Sequence, residues 1–179
     1  LVEAVDPRDE YFAEAVKLAS GDAAARADLR IVLTAMHGVG APLTSRVLEE
    51  AGFTHVSLVA AQAEPDPDFP TVPFPNPEEA GALDMAIEQA RAEDADLIIA
   101  VDPDADRCAL AVPDPAAEAG WRPLSGDQIG CLLGEFLASR GIQGSLANSI
   151  VSSRLLARIA HAPGLVHHTT LTLSPIHHS

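Results

Sequence analysis

Residues 95–112 read Ala95-Asp-Leu-Ile-Ile-Ala-Val-Asp-Pro-Asp-Ala-Asp-Arg-Cys-Ala-Leu-Ala-Val112. Leu97 to Val101 is an uninterrupted apolar run, the pattern of a strand buried on both faces of a parallel sheet. It runs into Asp102, Asp104 and Asp106 at alternate positions, with Arg107 behind them, and a second apolar run, Cys108 to Val112, follows at once. Two unit charges ~4 Å apart repel by about 4 kcal/mol at an effective dielectric of 20. A hard divalent cation with oxygen ligands turns that repulsion into attraction. Alternation along an extended loop would put the three carboxylates on one side, where they can converge on one ion. A solvated acidic turn is the plain alternative. Position argues against it, because open α/β sheets bind ligands at the carboxyl ends of their strands. A calcium EF-hand does not fit: counted from Asp102, its sixth position is Arg107 rather than Gly and its twelfth is Pro113 rather than Glu.

Working outward, Leu29 to Thr34 is a short apolar strand that breaks at His37-Gly38-Val39-Gly40. The two glycines either form a tight strand-to-helix turn or let backbone approach a phosphate. The pattern lacks the third glycine of a dinucleotide fingerprint. His37 is an active-site candidate or a hydrogen-bonded residue of the turn. The helix from Pro42 is expected to turn Leu43, Val47 and Leu48 inward and to stop at Gly52. A strand over His55–Val59 leads to a connection, Glu64 to Pro77, whose six prolines exclude helix. Phe69, Val72 and Phe74 suggest that it packs down on the domain. Asn76-Pro77-Glu78-Glu79 supplies a cap, a first-turn proline and two acids, predicting a helix with Leu83, Ala86, Ile87 and Ala90 buried.

Towards the ends the signals are similar. Asp6-Pro7 opens a helix with Phe12, Ala15, Val16 and Ala19 on one stripe, closed by Gly21. Ser125-Gly-Asp-Gln128 is a capping box for a helix whose inner face is Ile129, Leu132, Leu133, Phe136 and Leu137, closed by Gly141. Asp127 could reach a ligand, though stabilisation of the first turn already accounts for it. Ser145–Val151 and Leu165–Thr170 read as strands around a helix carrying Leu155, Leu156 and Ile159. The fold class is therefore α/β: a largely parallel, mixed sheet flanked by helices.

The formal net charge of −15, with 26 acidic against 11 basic residues, argues against nucleic acid and anionic membrane as partners. No apolar run approaches the roughly 18 residues of a membrane span, and the first residues do not resemble a signal peptide. Cys108 and Cys131, without framework spacing, point to a reducing, cytoplasmic setting. Cys108 is expected as a buried structural thiol. His167, His168, His177 and His178 are too loosely placed to suggest a metal site.

Ala100-Val-Asp-Pro-Asp-Ala-Asp-Arg-Cys108 resembles the metal-binding loop of the α-D-phosphohexomutases, the phosphoglucomutase and phosphomannomutase superfamily. Three further stretches match it in order: Thr34-Ala-Met-His-Gly-Val-Gly40, Phe69-Pro-Thr-Val-Pro-Phe-Pro-Asn-Pro-Glu-Glu79 and Leu124-Ser-Gly-Asp-Gln-Ile-Gly130. The pattern is most similar to the branch of phosphoglucomutase-2 and phosphopentomutase, from about Arg30 to Thr172.

The resemblance implies residues 1–26 as a linker helix from a first domain, 27–144 as the metal-binding second domain, 145–172 as the truncated start of a third, and 173–179 as a non-matching tail. It implies Mg2+, with Mn2+ also accepted by such ligands, on Asp102, Asp104 and Asp106. Arg107 would contact the phosphoryl group, or else pair with the same aspartates. Glu78 and Glu79 are helix-start acids first and support for the metal loop second. The implied reaction moves a phosphoryl group between C1 and C6 (or C5) of a sugar phosphate, through a phosphoserine and a sugar bisphosphate. The implied partners are that sugar phosphate and domains I, III and IV of the same protein. No Ser-His-Asn-Pro-type loop or Arg-Ser-Gly-Thr-type loop occurs in the 179 residues, so this length of chain is expected to be inactive alone. Two alternatives stand beside it: a non-catalytic metal-binding or interaction module derived from such a domain, and a metal-dependent phosphatase. The latter would need a second acidic or histidine cluster, and the sequence offers none.

Overall fold

Helices α1 (Arg8–Val16) and α2 (Ala23–Asp28) precede an alternation of β1 (Arg30–Thr34), α3 (Ala41–Glu50), β2 (His55–Leu58), α4 (Asp84–Ala92) and β3 (Leu97–Val101). β4 (Cys108–Pro113) and β5 (Trp121–Pro123) follow without a helix between them. α5 (Gly126–Ser139), β6 (Ser145–Ser149), α6 (Leu155–His161) and β7 (Val166–Thr170) complete the order. The structure, a computed structural model, describes residues 5–161 and 164–171. The tail from residue 173, with His177 and His178, lies outside them. The chain divides into two units between Pro123 and Leu124. The division falls before α5, whereas the sequence places α5 in the metal-binding domain and the boundary at residue 144.

The first unit is built on one mixed sheet in the order β2-β1-β3-β4-β5. β1 runs parallel to both β2 and β3, with Val32 opposite Ser57 on one side and Ile98 on the other. β4 returns antiparallel to β3, Val101 pairing with Cys108, and β5 is antiparallel to β4. Side chains alternate across this sheet. Val32, Ile98, Ala100, Ala109 and Ala111 form a core with Ala86, Ile87 and Ala90 of α4. Alanines on both surfaces let helix and sheet approach closely. Val101, on the opposite face, packs with Ala35, Ala41 and Leu58 beside α3. Two helical layers thus enclose the carboxyl end of β3, where the acidic loop emerges.

Several local expectations are corrected. α4 begins at Asp84, not at Asn76. Asn76 does accept from the Glu78 N–H (3.2 Å), but successive turns follow and Gly81 adopts φ +82°, which interrupts any helix there. Leu43 is exposed, because α3 turns its Val47–Leu48 side towards the sheet. Phe74 is also exposed and Phe69 half-buried, so of the three apolar side chains expected to pack the connection down only Val72 is buried. α1 starts one residue later than expected, after Pro7, with Asp6 accepting from the Arg8 N–H. Of its stripe Phe12 is buried, with the Arg46 guanidinium of α3 3.9 Å from the ring centroid, and Ala15, Val16 and Ala19 are half-buried.

In the second unit, α5 is closed at its start by the expected capping box of Ser125 and Gln128. Of the expected inner face only Ile129 is buried: Leu132, Leu133, Phe136 and Leu137 are exposed, while Cys131 packs with Leu146, Leu156 and Ala160. β6 and β7 form a parallel pair. Asp127 accepts a hydrogen bond from the Ser153 N–H at 2.9 Å, tying α5 to the turn before α6.

Candidate metal centre

Residues 102–107 join β3 to β4 across the Val101–Cys108 pair. The connection is not extended. It curls, with the Ala105 N–H donating to the Asp102 carbonyl (2.9 Å) and Ala105 itself at φ +59°. Left-handed backbone at a non-glycine residue costs roughly 1–2 kcal/mol. Curling, rather than strand alternation, gathers the carboxylates: one oxygen each from Asp102, Asp104 and Asp106 lies within 4.8 Å of the others. Among the described residues this is the one such cluster of acids, histidines or cysteines.

The three acids differ in environment. Asp102 is fully buried, while Asp104 and Asp106 are exposed. Burial pushes the Asp102 carboxyl upward. The Arg107 backbone N–H on Oδ1 (2.9 Å), the Arg107 Nε on Oδ2 (2.7 Å) and the guanidinium charge together outweigh that and hold it below the ordinary carboxylate range. Asp106 is held above that range, first by the charge of Asp104, then by desolvation and by Asp102. Arg107 also approaches Asp106 Oδ1 at 3.4 Å. The set is all oxygen, partly open to solvent and carries three negative charges against one positive. These features fit a hard divalent cation that keeps several waters.

The floor of the site comes from the His37-Gly38-Val39-Gly40 turn. The Val39 N–H donates to the Pro103 carbonyl at 2.9 Å. A Cβ added at Gly38 would stand 2.2 Å from the Pro103 Cα, so this glycine is required by backbone approach. The backbone it approaches is the acidic loop itself. His37 is buried, with Nε2 2.8 Å from the Thr71 hydroxyl. Thr71 lies in a matching stretch but was given no role by sequence, and its partner Gln62, which is fully buried, lies outside every such stretch. The available signal was a lone threonine in a proline-rich stretch and a glutamine following the apolar β2.

Cys108 is exposed at the start of β4, contrary to expectation, since its side of the strand is not covered. His167 Nε2 lies 2.9 Å from Asn148 Oδ1 in the second unit, bonded as a structural residue. Glu78 and Glu79 are exposed and belong to the turns before α4.

A parallel-to-antiparallel α/β domain that presents an acidic loop at the end of a central strand defines a recognisable class. Residues 9–116 match the family described as phosphoglucomutase/phosphomannomutase, alpha/beta/alpha domain II. The chain belongs to the phosphoglucomutase/phosphomannomutase family. It is 49% identical over 166 residues to the Haemophilus influenzae protein named "Probable phosphomannomutase", covering 92% of this chain and 33% of that one. It is 39% identical to the phosphoribomutase of Saccharomyces cerevisiae, covering 79% of this chain and 25% of that one. In fold it is similar to a phosphoglucomutase/phosphomannomutase family protein of Burkholderia thailandensis, with a TM-score of 0.74 at 24% identity over 95% of this chain and 34% of that one. The chain thus spans about a third or less of the length of these relatives. Among the described residues no helix is long and apolar enough to cross a membrane.

Proposed function

We propose that this chain is the metal-holding part of a sugar-phosphate mutase, which shifts a phosphoryl group between C1 and C6 (or C5) of its substrate through a phosphoserine and a bisphosphate. The observation that carries this is the convergence of three carboxylate oxygens within 4.8 Å beside Arg107. The names of the relatives agree with it. Asp102, Asp104 and Asp106 would hold Mg2+ or Mn2+, which when bound neutralises charge on a transferring phosphoryl group. Asp102 anchors the loop from a buried position, and the exposed pair, Asp104 and Asp106, face whatever is brought to it. The exposed part of Arg107 offers a fixed cation to phosphoryl oxygens. The 179 residues carry no serine loop of the expected type, so the proposal assigns them metal holding and phosphoryl contact and no turnover of their own. Two free thiols agree with a reducing, cytoplasmic setting.

Calorimetric titration with Mg2+ or Mn2+, beside Asp104→Ala, tests the proposal. Saturable binding that the substitution removes is expected. Absence of binding in the unsubstituted chain would overturn the metal assignment, and mutase turnover by the purified chain would overturn the division of labour.

A further inference from the structure

The turn beneath the acidic loop is held in an unfavourable shape by a buried polar chain that reaches it from the proline-rich connection. Met36 and His37 both take left-handed backbone, φ 49° and 62°, and neither is glycine. Such conformations persist only where the surroundings over-determine them. Here the surroundings are Thr34, Gln62 and Thr71. The Met36 N–H donates to Thr34 Oγ1 (3.1 Å), and the Thr34 hydroxyl donates to Gln62 Oε1 (2.6 Å). Gln62 Nε2 donates to Thr71 Oγ1 (2.8 Å), which leaves the Thr71 proton for His37 Nε2, 2.8 Å away. That arrangement gives both hydroxyl protons an acceptor and assigns the neutral His37 its proton on Nδ1. The main chain repeats the link, His37 N–H donating to the Gln62 carbonyl and Asp66 N–H to the His37 carbonyl, each at 3.0 Å.

We infer that Thr71 and His37 are positioning residues for the cation site: residues 64–77 act as a strap whose Thr71 hydroxyl fixes His37, which sets Gly38 and Val39 under Pro103 and so spaces Asp102 from Asp104. The inference rests on the acidic loop being a metal site. It gives the proline-rich connection a task that neither its mostly exposed prolines nor its packed residues, Val72 and Pro77, explain. Thr71 touches none of the carboxylates. Its effect on the cation runs through two contacts, Thr71 to His37 and Val39 to Pro103.

The test is Thr71→Val, which keeps the side-chain shape and removes the hydroxyl, with Thr71→Ser as the restoring variant. Two readouts are taken on the whole chain: amide hydrogen exchange and Mg2+ titration. In Thr71→Val, exchange at the Val39 and Arg107 amides is expected to rise at least tenfold, while the Ile87 amide inside the α4 core stays within twofold. The Mg2+ dissociation constant should rise at least fivefold. Thr71→Ser should return both readouts to within twofold of the unsubstituted chain. Unchanged exchange at Val39 and Arg107, or a rise shared equally by Ile87, would overturn the strap. If the unsubstituted chain binds no Mg2+, the metal assignment fails by itself, and the exchange pattern still decides whether Thr71 positions the loop.

Discussion

Arg107 closes on Asp102 with two donors, its backbone N–H on one carboxylate oxygen and its Nε on the other. The carboxylate is fully buried whereas the Arg107 side chain is 59% exposed. The pair is therefore half inside and half outside. Exposure of one partner screens a charge-assisted hydrogen bond and reduces what it contributes. Arg107→Ala is expected to lower the urea midpoint only slightly, since the backbone donor remains. It should also strengthen Mg2+ binding several-fold by removing a competing cation. Loss of binding as complete as in Asp104→Ala would show instead that Arg107 shapes the site.

Asp106 shows the opposite balance. Its carboxyl is held above the ordinary range by Asp104, by desolvation and by Asp102, so its charge is uncomfortable where it stands. Asp106→Asn should raise the urea midpoint of the metal-free chain and weaken Mg2+ binding tenfold or more. Opposite signs for stability and binding are the mark of a site kept for a ligand. A fall in both would mean that Asp106 has a structural partner among its neighbours.

Gly38→Ala tests the floor of the loop. The new methyl meets backbone at Pro103, which cannot swing aside as a side-chain tip can. Overpacking of this kind costs typically 1–3 kcal/mol. Urea unfolding should show a loss in that range, accompanied by loss of cation binding. A stable variant with unchanged Mg2+ affinity would mean that the turn and the acidic loop move independently.

The two thiols should separate in reactivity, since Cys108 is exposed and Cys131 is buried with Leu146 and Leu156. A thiol reagent is expected to modify one equivalent quickly in the native chain and the second only in denaturant. Slow labelling of both would place Cys108 under cover.

Much of the fold was legible because one signal, apolar runs ending in turn chemistry, marks strands β1 and β3 and the helix closed by Ser125. The acidic loop was legible because three identical charges at fixed spacing have few structural uses. What failed did so for tertiary reasons. Leu132, Leu133, Phe136 and Leu137 share a helical stripe, yet which stripe is buried depends on where β6 and α6 lie, and periodicity cannot say. Asn76-Pro77-Glu78-Glu79 carries every helix-start signal, but Gly81 overrides it a few residues later. The Thr34–Gln62–Thr71–His37 chain joins three separate segments, and nothing local in any of them marks the connection. Hydrogen-bond chains of that kind become visible only in three dimensions.

β1 and β3 lie side by side, Val32 opposite Ile98, with β2, the proline-rich connection and α4 all strung between them in the chain. Closing so long an intervening loop is entropically costly and slow compared with forming a hairpin. β4 can pair with β3 early, because only residues 102–107 separate them. The turn at residues 37–40 that seats Pro103, however, arrives only with β1. A peptide of residues 95–112 would therefore hold the three aspartates without the geometry, and cation affinity would appear only with the complete sheet. On the proposed metal assignment, binding of the ion would report long-range folding of the domain, and any lesion that delays the β1–β3 pairing would silence the site without touching an aspartate.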